Sequence, residues 1–540
     1  MKHLFRGTIA IALMFFLLVR PTPAQACVYA TDIRVNGSLR ADVLLPGGTA
    51  TISYILNDTA TGGVTVRILY GTNVIQTLNS ADGAAGTNAG LNFAVWDGMA
   101  DVATNLAEGA YSVSITAASS GYNGWTNITD DGTNFAVAQP RGIAVNRNTN
   151  SPFYGRVYAG NAYPVGGNAP NAQVGIYKFN ADGSPADEGT FSTGGWGWSG
   201  GHDSPWKMAI GADDRLYVDD FSSQGVVVSF GPTLSSNSLR QVIRMDNYPT
   251  EYPDLELSGL SVIGSGTNEE IWMTDENPSD SAGVIGWQLA SGGVAATNDT
   301  GTVILPVDPD FLTQAPYDLS LDGNGFIYTI QFLRTAAPAY ALMSFPPHGG
   351  MPETTADWAT ALYPETMDAY GVAADATGTY VALAAVGPCD SESACGGLYL
   401  FNAANGEFIA NLDKTGGDAY YDVAWDNVGN LYALDGGSSV RPAVWRAYSP
   451  PGANQATTVA APVIQVYNAI LPPYLSNVVA DPAWLHFTLT GQSNIDYVIQ
   501  QSGDLVNWVS VGTNYGAGAT RCVSVPIYGS QNFYRAVAAP

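Results

Sequence analysis

The sequence predicts an all-β, multidomain protein: a β-sandwich, a six-bladed β-propeller and a small C-terminal β unit. Three observations lead there. The 540 residues include 61 Gly and 29 Tyr but only 12% charged residues, a composition of many short strands joined by tight turns in a chain too long for one domain. Residues 27–137 carry period-two alternation between turn signals. From residue 138 to 451 one pattern recurs six times at a spacing of roughly 50 to 65 residues, the mark of stacked repeats.

Residues 1–26 come first. Lys2, His3 and Arg6 precede the apolar run from Ile9 to Val19, and "RPTPAQAC" follows with an A-x-A site before Cys27, which together read as an export signal cleaved near Ala26. A lipid-modified Cys27 is the alternative, for which Gln25 is an unusual neighbour. No later segment offers roughly 18 uninterrupted apolar residues, so no membrane span is expected in the mature chain. The full chain has a net charge of −27, and cleavage would remove Lys2, Arg6 and Arg20 and no acid, leaving 17 basic against 47 acidic side chains. So acidic a surface argues against nucleic acid and anionic lipid and fits a solvated extracellular surface or cation binding; with the export signal, a secreted or cell-surface location is expected. Cys389 and Cys395, close together in "CDSESAC", are expected to form a local disulfide in an oxidising compartment, and with no His or further Cys beside them a metal site is not indicated. Pairing of Cys27 with Cys522 is left open, as is the oligomeric state.

Within residues 27–137, "TATISYILND", "GVTVRILYGTNVIQTL", "LNFAVWDGMAD" and "GAYSVSITAAS" are alternating strands. The order Ile52 to Tyr54 (I-S-Y), Val64 to Ile68 (V-T-V-x-I), Trp96 to Gly98 (W-D-G) and Gly109 to Tyr111 (G-x-Y) resembles the FlgD-type immunoglobulin-like domain. That resemblance implies a spacer or assembly module.

The six repeats open with "PRGIAVN" at Pro140, "PWKMAIG" at Pro205, "LSGLSVI" at Leu257, "PYDLSLD" at Pro316, "AYGVAAD" at Ala369 and "YYDVAWD" at Tyr420. Each turns into a second strand such as "DRLYVDD" or "GNLYALDG". A lone blade cannot bury both faces, so six such units predict a ring. The apolar strand, Asp/Asn-Gly turn and Tyr-Val strand ending in Asp resemble NHL-like propellers. Residues 452–473, opening with "GANQATTVAAP" after Pro450 and Pro451, read as a linker. Residues 474–540, with Y-x-I-Q-x-S-x-D-L-x-N-W at Tyr497 to Trp508 and F-Y-R at Phe533 to Arg535, resemble a small C-terminal β module of large secreted bacterial proteins.

Aligning the repeat starts puts Arg141, Trp206, Ser258, Tyr317, Tyr370 and Tyr421 in one column and Gly142, Lys207, Gly259, Asp318, Gly371 and Asp422 in the next. The aromatics with Arg141, Lys207, Asp318 and Asp422 are therefore expected to converge at the propeller mouth, with Trp196, Trp198 and His202 on an insertion above it. Aromatic faces beside carboxylates suit a glycan; the competing reading wedges the same aromatics between blades as core. Asp213 and Asp214 are expected to be turn residues, and Asp219, Asp275 and Asp435 to recur at the end of the second strand with a structural role.

No catalytic residue is assigned. Four histidines in the whole chain, no G-x-S-x-G turn and no zinc-ligand spacing leave little for nucleophilic or zinc chemistry. A channel enzyme of lactonase, lyase or hydrolase type, with calcium on Asp318 and Asp422 and His202 or Lys207 as base, is chemically allowed. The reading is an extracellular binding or scaffold protein, whose partner would be a glycan or a surface protein. A channel enzyme and a purely structural surface component stand as alternatives.

Overall fold

The computed structural model describes residues 27–538 apart from 45–47, 81–84, 102–105, 163–172, 187–188, 199–203, 222–225, 250, 252–254, 278–280, 291, 308–315, 332–340, 361–367, 387–395, 414–418, 438–440, 467–472, 492–494, 515–519 and 528–531, and the side chains of 43 and 461. The described residues are strands and turns with three single-turn 3-10 segments. No described helix is long and apolar enough to cross a membrane.

Each of the six repeats is an antiparallel sheet. Sheet 1 begins Pro140–Val145 and Val157–Asn161, sheet 2 Met208–Ile210 and Leu216–Asp220, and sheet 3 Leu257–Ile263 and Glu270–Asp275. Sheet 4 begins Pro316–Leu321 and Ile327–Gln331, sheet 5 Asp368–Ala374 and Tyr380–Val386, and sheet 6 Tyr420–Trp425 and Leu431–Asp435. The first strand of every sheet touches the first strands of two neighbours, in the order 1-2-3-4-5-6 and back to 1, so the sheets stand around a common axis. That stacking explains the sequence of the second strands. Leu216–Asp220 and Leu431–Asp435 are buried at every residue, because a sheet covered on both faces has no solvent side on which to alternate.

The expected turn chemistry holds. Asp214 takes a positive φ of 65°, and Asp213 Oδ1 accepts from the Arg215 N–H at 3.0 Å. Asp426 does the same work in sheet 6, its Oδ1 accepting from the N–H groups of Val428, Gly429 and Asn430.

Ring closure departs from the expected boundaries. Thr126–Asn127, expected within the first domain, is the outermost strand of sheet 6, paired with Tyr448 and Ser449, and Phe135 packs edge-on to Trp445 at 4.8 Å. Gly452–Val466, expected as a linker, is a 15-residue strand. It lies between Asp42–Leu44 and Gly109–Tyr122 in a five-stranded sheet completed by Gly63–Tyr70 and Asn73–Ser80. The Pro, Ala and Thr content suggested a loop, but Ile464 and Val466 are buried in the shared core, and burial overrides local propensity. The facing sheet is Ala30–Val35, Ala50–Leu56 and Gly90–Trp96. Trp96 and Tyr111 meet at 5.8 Å between the two sheets. The described residues between 474 and 538 form two three-stranded sheets around Phe487, Tyr497 and Ile499.

Cys27 is buried and Cys522 exposed. Cys27 donates its thiol to the Val428 carbonyl, and burial, reinforced by Asp426, pushes the thiol pKa well above its usual value. The Cys389–Cys395 bridge lies outside the described residues.

Candidate functional site

The two aligned columns come together at the axis as two stacked layers. Five of the six first strands slip register at this point, for instance between Pro316 and Asp318 and between Tyr420 and Asp422. Such a bulge re-aims successive side chains toward one end of the ring.

The outer layer is a circuit of rings. Trp206 meets Tyr317 edge-on at 6.0 Å, Tyr317 meets Tyr370 at 5.5 Å, and Tyr370 meets Tyr421 at 5.4 Å, with interplanar angles of 80° to 89°. Arg141 closes the circuit, its guanidinium 4.5 Å from the Tyr421 ring centre and 5.7 Å from that of Trp206. Ser258 takes no part in the stacking; its hydroxyl donates to the Tyr317 carbonyl at 2.8 Å. Trp206 and Tyr317 are buried, whereas Arg141, Tyr370 and Tyr421 are half-buried. Edge-to-face pairs of this kind contribute roughly 0.5–1.5 kcal/mol each beyond the area they bury.

The inner layer alternates glycine with charge: Gly142, Lys207, Gly259, Asp318, Gly371, Asp422. A Cβ on Gly142 would lie 3.2 Å from Lys207 Cα, one on Gly259 2.5 Å from Asp318 Cα, and one on Gly371 2.7 Å from Asp422 Cα. Each glycine thus makes room for the charged residue of the next sheet. Lys207 crosses the axis and donates to Asp422 Oδ1 at 2.7 Å, Tyr370 O at 2.6 Å and Tyr421 O at 3.1 Å, with Asp318 Oδ2 at 3.3 Å. The carboxylates reach onward to the following sheets: Asp318 Oδ2 accepts from Val372 N at 3.0 Å and Asp422 Oδ2 from Ile143 N at 2.8 Å. One ammonium therefore ties sheet 2 to sheets 4, 5 and 6, and the acids tie 4 to 5 and 6 to 1.

All three charged groups are buried. Burial acts to lower the Lys207 pKa, but the two carboxylates outweigh it and hold the ammonium above its ordinary value. For Asp318 and Asp422 burial wins, and both carboxyls are raised despite Lys207. One cation shared by two buried acids gives this asymmetry. The calcium reading of Asp318 and Asp422 is corrected accordingly, because the Lys207 ammonium stands where the cation would. Lys207 is likewise held by four oxygens as a cation, and is no base.

Beyond this layer the axis opens into a cavity of ≈ 140 Å³ between the first strands, with Lys207, Asp318 and Asp422 among its lining and Arg147 beside it. At about 30 Å³ per molecule it holds a few waters. Ligand pockets generally run to about 300–1,000 Å³.

Several expected site residues fall elsewhere. Trp196 and Trp198 do not stand over the axis; they pack toward Phe230 in the wedge between sheets 1 and 2. Trp196 Nε1 donates to Asp220 Oδ2 at 2.7 Å. His348 stacks edge-on against Trp272 at 5.6 Å, and His202 lies outside the described residues. The recurring acid at the strand end is Asp220, not Asp219. Met208 pairs with Val218 as Leu260 does with Met273 and Val423 with Ala433, which puts Asp220 in line with Asp275 and Asp435. Asp275 accepts from three backbone N–H groups, and Asp435 from Gly437 N and Arg446 Nε. Asp219 lines up with Gly160, Thr274, Ile330, Ala384 and Leu434, and neither of its side-chain oxygens has a hydrogen-bond partner among the described residues. Sequence alignment one residue out of register concealed this contrast. No group of three or more His, Cys, Asp or Glu side chains suited to a metal is found among the described residues.

No family model matches the sequence, and no curated protein does. Among solved structures, a chain described as "Glycoside hydrolase" is 9% identical with a TM-score of 0.25, over 60% of this chain and 94% of its own. Another, "Bacteroides ovatus Xyloglucan PUL GH43B", is also 9% identical with a TM-score of 0.25, over 96% of this chain and 99% of its own.

Proposed function

We propose that this is an exported binding protein: a six-bladed propeller between an immunoglobulin-like sandwich and a small β module, taking a glycan on the face where Arg141, Tyr370 and Tyr421 are half-buried. The observation that carries the reading is the circuit of four aromatics and one arginine around the axis. Trp206 and Tyr317 are buried as core, while the half-buried Tyr370 and Tyr421 rings and the Arg141 guanidinium supply apolar surface and a cation on one face, the combination that stacks sugar C–H faces and bonds their hydroxyls. Binding is favoured over channel catalysis because Asp318 and Asp422 are both committed to Lys207 and to backbone N–H groups. A hydrolytic pair needs one carboxylate near water and one near the leaving oxygen, and neither acid is free for that.

The test is retention of the full chain on a panel of insoluble and soluble polysaccharides, with released sugars assayed in parallel. Retention without products, weakened at least tenfold by Tyr421→Ala and Arg141→Met, is the expected result. Products that disappear in Asp318→Asn with folding intact would replace this reading with the enzyme one. Retention indifferent to both face substitutions would sink the face assignment.

A further inference from the structure

Asp219 has no structural explanation of the kind its neighbours have. It is 1% exposed and sits at a position where the other five sheets carry Gly160, Thr274, Ile330, Ala384 and Leu434. Both of its side-chain oxygens are buried with no hydrogen-bond partner among the described residues. A carboxylate buried in that state is destabilising unless something neutralises it. Along Leu216–Asp220 side chains alternate, so Asp219 shares the face of Tyr217, which packs with Leu257, Ile271 and Met273 of sheet 3.

The surroundings at that joint are acidic. Burial comes first in raising the Asp219 pKa, followed by the charges of Asp220 and of Glu276 just past the second strand of sheet 3. Buried Tyr248 is raised by its burial and then by Asp219 and Asp275, which places it in the same pocket of negative potential. No basic group among the described residues offsets Asp219. Folding has therefore gathered negative charge around a carboxylate with two open acceptor oxygens, at a position that the fold elsewhere fills with small or apolar side chains.

We propose that Asp219 anchors a divalent-cation site of the calcium class at the joint between sheets 2 and 3, with the Glu276 carboxylate as its second acidic ligand. Calcium suits the setting. It accepts a carboxylate through both oxygens and completes an irregular shell of six to eight ligands with backbone carbonyls and water, whereas magnesium demands near-octahedral geometry and keeps several waters. The Asp219 backbone pairs with Trp206 N at 2.9 Å and Lys207 O at 3.0 Å, so the site adjoins the aromatic circuit, but calcium binding is read independently of glycan retention and its failure would leave the binding reading untouched.

The experiment uses the full chain stripped with EDTA and titrated with CaCl2, with MgCl2 as control, read by calorimetry and by thermal melting. The wild type should bind calcium and melt higher with it. Asp219→Asn should melt above the wild type in EDTA, having lost a buried charge, and lose the calcium-dependent shift. Glu276→Gln should weaken calcium binding by about tenfold or more, and it carries the test if Asp219→Asn fails to fold. A wild type indifferent to calcium would overturn the proposal and leave Asp219 a protonated side chain. So would variants that keep the whole wild-type shift, since the response would then come from other acids of this strongly acidic surface.

Discussion

Replacing Lys207 by Met tests the inner layer most directly. The substitution keeps the length and apolar stem of the side chain but leaves Asp318, Asp422 and the carbonyls of Tyr370 and Tyr421 without the ammonium that engages all four. Breaking a buried ion pair from one side costs about 3–5 kcal/mol, because the stranded charge remains buried. At about 2 °C per kcal/mol, the large-domain end of the usual range, the ring transition should fall by roughly 6–10 °C at neutral pH. The deficit should shrink in acid. Folded Asp318 and Asp422 already titrate above their unfolded range because of burial, and losing Lys207 raises them further. The folded variant then holds protons that the unfolded chain has released, so its stability is lost as pH rises through the folded pKa and regained as pH falls. Melting the wild type and Lys207→Met between pH 5 and 8 reads both effects. A drop under about 2 °C, or a deficit that does not change with pH, would refute the stitching role. Lys207→Met combined with Asp318→Asn and Asp422→Asn should recover most of the loss.

Three further outcomes follow from packing. Gly371→Ala puts a Cβ 2.7 Å from Asp422 Cα and 3.1 Å from Lys207 Nζ, an overpacking that costs about 1–3 kcal/mol; Gly197→Ala, with nothing within 4 Å, should stay within about 0.5 kcal/mol of wild type in the same denaturation series. Truncation after residue 466 should leave the ring and the N-terminal sheets melting as before. Truncation after residue 451 removes Ile464 and Val466 from the N-terminal core, at about 1.5–3 kcal/mol each, and should make that unit sensitive to limited proteolysis. Thiol labelling of the native protein, read by peptide mass mapping, should modify Cys522 promptly and Cys27 only on unfolding; equal labelling rates would show that the Cys27 thiol is not held as described.

Repetition made the ring legible. Six first strands gave two columns, and those columns are the two layers found at the axis, down to glycine alternating with charge. The repeat signal failed where a segment did not repeat. Thr126–Asn127 is a two-residue strand, too short for any periodicity, and only its pairing with Tyr448 and Ser449 reveals it. Gly452–Val466 reads as a linker because partners far away in sequence supply the burial that makes it a strand. The one-residue misalignment of Asp219 has the same origin: two successive aspartates at a strand end fit the pattern equally well, and only pairing across the sheet tells them apart.

The charged layer also bears on what the axis can do. A ring of sheets whose centre is open gains nothing from its innermost edges, where backbone N–H and carbonyl groups face the channel unpaired. Lys207, Asp318 and Asp422 answer that with side chains that bond those edges directly, at Ile143, Tyr370, Val372 and Tyr421. The Lys207 ammonium is fully taken up by these oxygens, and each carboxylate oxygen of Asp318 and Asp422 already accepts at least one hydrogen bond. Those side chains hold the ring together at its centre, which is why both proposed ligand sites lie away from it, on the aromatic circuit and at Asp219.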